Sequence, residues 1–142
     1  MPFDIVKLDE HYVGGLVLPG VEPNDGDDKA DLLMFTQERV RARGVQEVLV
    51  LYVCHPAMGW TALVGTRCEG LDDLLPGDSL FRVPAGFFAH VVPENGGDAA
   101  DCWAQVEKAE KEQRIERSYR GDIAVTNPRG TTGLYISLAG PP

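Results

Sequence analysis

One order of elements, read twice along the chain, constrains its fold more than any single motif. Hydrophobic periodicity and turn residues mark strand, helix, strand, strand, and then the same order again. The first extended run covers residues 3–8. After a polar step at Asp9-Glu10, a second covers residues 11–18, and the two are read as one long bent strand. Gly14-Gly15 sits inside it, where a glycine pair marks a bulge or a close approach by another group. A loop of Pro, Gly, Asn and Asp follows over 19–28, its last acids placed to cap a helix and complement its dipole. The helix is predicted over 29–43. Ala30, Leu33, Met34, Gln37 and Val40 recur at its period, Leu32 and Phe35 widen the apolar face, and Gly44 terminates it. A continuous aliphatic run over 48–54 predicts a well-buried strand, and 60–68 returns as its hairpin partner.

The second pass begins after a connection at 70–78 that turns at Pro76-Gly77. Residues 80–83 and 87–92, interrupted by Pro84-Ala85-Gly86, mirror the bent first strand. Asp98 is a candidate N-cap for a helix over 99–113 with the stripe Ala99, Cys102, Trp103, Val106 and Ala109. Its other face carries mixed charges that need only solvent. Residues 119–127 and 133–138 form a closing hairpin across Pro128-Arg129-Gly130. The expectation is an α+β fold in one domain, 1–142. Its halves, about 1–69 and 70–142, are related by a pseudo-two-fold axis, with antiparallel sheets, two helices and a ligand groove between the halves.

The chain has 142 residues, 44% of them hydrophobic, enough for one globular core. Its formal net charge of −9 disfavours nucleic acid and anionic membrane as direct partners, because both need clustered Lys and Arg. Cys54, Cys68 and Cys102 form no C-x-x-C pair, and no histidine is spaced with them to suggest a zinc site, which reads as free thiols in a reducing compartment. His11, His55 and His90 are far apart in sequence, and no metal site is assigned. With neither a signal peptide nor a membrane-length apolar run at hand, the expected location is cytoplasmic. No cofactor fingerprint, phosphate loop or nucleophile elbow is present.

The run Phe81-Arg82-Val83-Pro84-Ala85-Gly86-Phe87-Phe88-Ala89-His90-Val91-Val92-Pro93-Glu94-Asn95-Gly96-Gly97 resembles the "ip-a-x-x-y-a-v-f-x-x-x-G" segment of GyrI-like domains, the effector-binding domains of bacterial transcription activators. Gly65 matches the family's "y-x-x-G" strand. Trp103 matches its tryptophan early in the second helix, and Leu134-Tyr135-Ile136-Ser137-Leu138 its closing "i-y-i-P-i" strand, with Ser137 where proline is usual. The resemblance spans nearly the whole chain. It implies two strand–helix–strand–strand units around a groove that takes small, often cationic or aromatic compounds.

No helix-turn-helix fits before the first strand, so the chain is not expected to read DNA itself. The family's "f-E-x-Y" strand corresponds to Gly121-Asp122-Ile123-Ala124, with the acid shortened to Asp122 and the tyrosine replaced by Ala124. Asp122 is therefore either a groove carboxylate, able to pair with a cation or to act as acid or base, or an ordinary turn acid. Trp103 either walls the groove or packs its helix onto the sheet. Trp60, Tyr52, Phe35 and Tyr135 are further groove candidates, each equally readable as core, and Glu69 ends a strand pointing into the groove or into solvent.

The leading expectation is a stand-alone small-molecule-binding protein. The alternatives are a hydrolase of strained or electrophilic compounds that uses a pocket carboxylate, and a protein inhibitor of DNA gyrase. A homodimer through an exposed strand edge, or another protein partner, stays open.

Overall fold

A computed structural model describes residues 3–23, 27–45, 47–93 and 98–141. The acid-rich loop expected before the first helix falls partly on 24–26, and the loop expected before the second on 94–97. Both stretches lie outside the described residues. The strands are β1 (Phe3–Leu8), β2 (His11–Pro19), β3 (Val48–His55), β4 (Gly59–Cys68), β5 (Ser79–Val83), β6 (Gly86–Val91), β7 (Asp122–Asn127) and β8 (Gly130–Ser137). The helices are α1 (Asp27–Arg41) and α2 (Ala99–Lys111).

All eight strands join one antiparallel sheet in the order β1-β6-β8-β7-β3-β4-β2-β5. Read outward from the central β7–β3 pair, one side runs β7, β8, β6 and the other β3, β4, β2. The expected pseudo-two-fold axis therefore passes between β3 and β7, relating β2-α1-β3-β4 to β6-α2-β7-β8.

The outer strands are exchanged. β1 precedes the first repeat but pairs with β6, and β5 precedes the second repeat but pairs with β2. A single register runs through both pairings: Phe3 opposes Val91, Leu8 opposes Gly86, His11 opposes Val83 and Gly15 opposes Ser79. β1–β2 and β5–β6 thus behave as two long bent strands zipped to each other across the bends. Counting each as one, the sheet closes into a six-membered barrel, each member hydrogen-bonded to the next.

Closure explains the strand sequences. Val48, Val50 and Tyr52 of β3 face outward under the helices, while Leu51 faces the barrel interior with Val13, Leu63, Val83, Phe88 and Ile123. A strand covered on both faces reads as a continuous apolar run rather than an alternating one. α2 seats Cys102, Trp103, Val106 and Ala109 on the outer face, and its N-terminus is closed by a capping box between Asp98 and Asp101. α1 seats Val40 and Thr36. Its C-terminal turn is fixed by Gly44 (φ 96°) and by a two-pronged bond of Arg43 to Asp78, both contacts at 3.0 Å.

The glycines at 15 and 65 oppose each other where β2 crosses β4. A Cβ on Gly15 would overlap the Val64 carbonyl, and one on Gly65 the Gly14 carbonyl. The glycine pair in β2 therefore marks a close approach of backbones and not a bulge.

Gly65→Ala is expected to cost at least roughly 3 kcal/mol in urea unfolding, because the atoms met are backbone and cannot rotate away. Gly70→Ala is the control. Its φ of 166° is extended and no atom lies within 4 Å, so its change is expected within about 0.5 kcal/mol.

Burial opposes ionisation of Asp78, but its bonds to Arg43 and to the Leu75 amide outweigh that and hold its pKa below the ordinary aspartate value. A depressed carboxylate pKa stabilises the fold above the unfolded-state value, and that contribution disappears as pH falls through the folded-state value. The stability advantage of wild type over Asp78→Asn is therefore expected to be full at neutral pH and to shrink below about pH 3.9, as followed by thermal denaturation.

Candidate functional site

Where the two repeats meet, α1 and α2 stand apart over the outer face of β3 and β7. The depression between them has a volume of about 380 Å³. Its floor is Val50 and Tyr52 of β3 with Ala124 and Thr126 of β7, residues that share one face because strand side chains alternate. Trp103 of α2 forms one wall and meets Tyr52 edge to face, ring centres 5.6 Å apart at 88°. Ala30, Leu33, Met34 and Gln37 of α1 form the other wall.

Among the described residues, three charged side chains line the groove: Glu22, Asp98 and Lys29. These two carboxylates and one ammonium sum to a formal charge of −1. The ammonium lies 2.6 Å from the Gly20 carbonyl, and one Asp98 oxygen accepts the Asp101 amide at 3.0 Å. The apolar, aromatic floor with carboxylates at the edge is the usual make-up of a small-molecule pocket.

Of the residues singled out from sequence, the structure brings Tyr52 and Trp103 together in this groove and places the others elsewhere. Phe35 is 59% exposed, because α1 turns the Thr36–Val40 side toward the sheet and residue 35 falls on the opposite side. Trp60 lies two pairs beyond Tyr52 in the β3–β4 ladder, packed on Tyr119 at 5.9 Å. Glu69 is exposed past the end of β4, and its amide donates to Asp73. Tyr135 points into the barrel and stacks on His90.

Asp122 has the outward parity of the groove floor, but it is fully buried in its own network. Arg117 donates to one carboxylate oxygen at 2.7 Å. The amide and hydroxyl of Ser137 donate to the other at 2.9 and 3.0 Å. Arg117 lies over the Tyr119 ring at 4.4 Å, and the Tyr119 hydroxyl donates to Glu110 at 2.7 Å. Burial and then that bond to Glu110 push the Tyr119 phenol above its ordinary pKa. Two of the three places where the sequence departs from the GyrI-like pattern, the shortened acid at 122 and serine for proline at 137, thus meet in space. A proline at 137 has no amide hydrogen to give this carboxylate.

Sequence reasoning missed the α1 wall and Glu22. The stripe Ala30, Leu33, Met34 and Gln37 was visible as an apolar helix face, which signals burial against the sheet as readily as it signals a groove wall. Among the described residues no group of His, Cys, Asp and Glu is arranged to hold a metal ion. No helix there is long and apolar enough to cross a membrane.

No protein-family model matches the chain, and no curated protein matches it. Solved structures do. An integron cassette protein from the mobile metagenome of Vibrio cholerae is 15% identical, with TM-score 0.69 over 97% of this chain and 96% of that one. A structure of SAV2435 bound to tetraphenylphosphonium is 9% identical, with TM-score 0.70 over 99% and 95%. A putative bacterial transcription regulation protein from Staphylococcus aureus MU50 is 6% identical, with TM-score 0.69 over 99% of each chain. At these identities the likeness is one of fold: an α+β chain with one antiparallel sheet and two helices.

Asp122→Asn leaves the buried Arg117 without its closest counter-charge. It is expected to cost roughly 3–5 kcal/mol in denaturant unfolding, since breaking a buried ion pair strands a charge. Groove occupancy, measured by calorimetry on the folded fraction, is expected to stay unchanged.

Proposed function

We propose that this chain is a GyrI-like small-molecule-binding domain, 1–142, whose groove takes a hydrophobic or aromatic cation. The observation that carries this reading is the groove itself. It is an open apolar cleft on the pseudo-two-fold axis, floored by Tyr52 and walled by Trp103, with carboxylates in excess of ammonium groups among the described residues of its lining. A cation over the face of an aromatic ring there gains about 0.5–2 kcal/mol, together with the field of Glu22 and Asp98. The chain's net charge of −9 adds attraction at long range. The bound tetraphenylphosphonium of SAV2435, a lipophilic aromatic cation held by a protein of the same fold, supports the same ligand class.

The groove offers binding without an evident catalytic group. Asp122, the acid on which a hydrolase reading would rest, has both oxygens engaged by Arg117 and Ser137. Ala124 at the centre of the floor leaves space that a larger side chain would fill, which suits a bulky ligand.

Tetraphenylphosphonium is the probe for this reading. Calorimetry is expected to show saturable binding, with a rise in melting temperature that grows with ligand concentration. Ala30→Trp, an exposed substitution on the α1 wall, is expected to abolish binding while leaving the melting temperature of the free protein near wild type. Glu22→Gln is expected to weaken binding about two- to fivefold, the scale of an exposed ion pair. Undiminished binding by Ala30→Trp would place the ligand outside the groove.

A further inference from the structure

The barrel interior is packed in its middle and open at one end. Leu51, Leu63, Phe88, Val13 and Val83 fill the middle. Beyond them, where β3 and β8 begin and β4 and β7 end, lies a depression of about 530 Å³, larger than the groove. The two cavities share no lining residue and lie on opposite faces of the sheet. The inner-face side chains Leu49, Ile123 and Val125 line the mouth, and the outer-face Val50, Tyr52 and Ala124 line the groove.

The mouth has a flat aromatic wall. His90 and Tyr135 stack with ring centres 4.4 Å apart and planes within 9°. Gly133 makes room for this pair. A Cβ there would stand 3.2 Å from His90 Nε2 and 3.3 Å from the Val91 carbonyl oxygen, and the residue's φ is not in the left-handed region, so the close approach of the ring and of β6 accounts for the glycine. Opposite the apolar floor, Arg67 reaches the rim exposed. Among the described residues its guanidinium has neither an ion pair nor a hydrogen bond. The other polar groups are His11, whose Nδ1 is 2.9 Å from the Asp9 carbonyl, Thr132, whose hydroxyl donates to the Val125 carbonyl at 3.2 Å, Thr66, and Glu47 at the rim.

A free guanidinium matches the planar fork of a carboxylate, and a flat stacked wall matches an aromatic ring. One arginine beside one glutamate in a chain of net charge −9 suits a single negative charge and repels a polyanion. We propose that the barrel mouth is a second ligand site, separate from the groove, for a small planar aromatic carboxylate. Its ring stacks on the outer face of the His90–Tyr135 pair, and its carboxylate pairs with Arg67. Glu47 limits the affinity and restricts the site to monoanions.

The test uses 2-naphthoate as probe, in calorimetry and in amide-resolved NMR on the whole chain. Saturable binding at or below millimolar concentration is expected, with shifts at Arg67, His90 and Gly133 and none at the Trp103 indole. Arg67→Gln is expected to weaken binding about tenfold with an unchanged melting temperature, the residue being exposed. Glu47→Gln is expected to strengthen it. The proposal is overturned by any one of four results: no saturable binding at millimolar 2-naphthoate, shifts centred on Trp103, wild-type affinity in Arg67→Gln, or shifts of equal size at Arg67, His90 and Gly133 with the cation 2-naphthylmethylammonium. None of these outcomes bears on tetraphenylphosphonium binding in the groove, so the two readings stand or fall separately.

Discussion

The pairing of residues 3–15 with residues 79–91 is the contact on which the rest of the molecule depends. It joins the first bent strand to the second in one unbroken register, and without it the sheet is open. Closure gives the strands an inside, filled by Phe88, Leu51 and Val13, and an outside on which the helices can lie. It also fixes how closely β2 must pass β4, and that spacing admits only glycine at 15 and 65. The groove follows from the same geometry. With the barrel closed, α1 and α2 must both lie on its outer face, one per repeat, and the space between them falls on the symmetry axis over β3 and β7.

The repeats are alike in topology and unlike in chemistry. The α2 side of the axis is packed tightly, with Trp103, Cys102 and Val106 buried. On the α1 side Met34 and Ala30 are exposed along the groove, and Leu32 and Phe35 are exposed away from it. The ligand surface therefore has one rigid aromatic wall and one wall of small or flexible side chains. Methionine adapts its shape at little cost, a property suited to a cleft that accepts more than one bulky ligand.

Much of this was legible in the sequence, and the residues show why. Element order, the two bent strands, the Asp98 cap and the Cys102–Trp103–Val106–Ala109 stripe are local signals, written in spacing and turn chemistry. The glycine pair at 14 and 15 signalled a bulge or a close approach, but that it meets Gly65 of β4 is a fact of long-range pairing. Barrel closure was likewise invisible, because no local pattern records that residue 8 opposes residue 86. The site was less legible than the fold. Of the groove candidates, the structure places Tyr52 and Trp103 in the cleft and Phe35, Trp60, Glu69 and Tyr135 outside it. An aromatic residue on a strand or a helix looks the same whether it faces a core, a barrel or a cleft. Asp122 shows the same limit for charge. Its position on the strand was read correctly, but the occupation of its two oxygens depended on Arg117 and on Ser137, fifteen residues away.

The exchange of β1 and β5 between the repeats has a consequence for how the chain reaches this state. Each repeat receives its outermost strand from the other, so severing the halves would leave bare strand edges on both. The exchanged strands meet their partners across more than sixty residues of intervening sequence, and such contacts are rewarded only after a long loop has closed. Folding is then governed by a late, non-local step that locks both repeats at once, which makes the protein slow to assemble and, once assembled, slow to come apart in pieces.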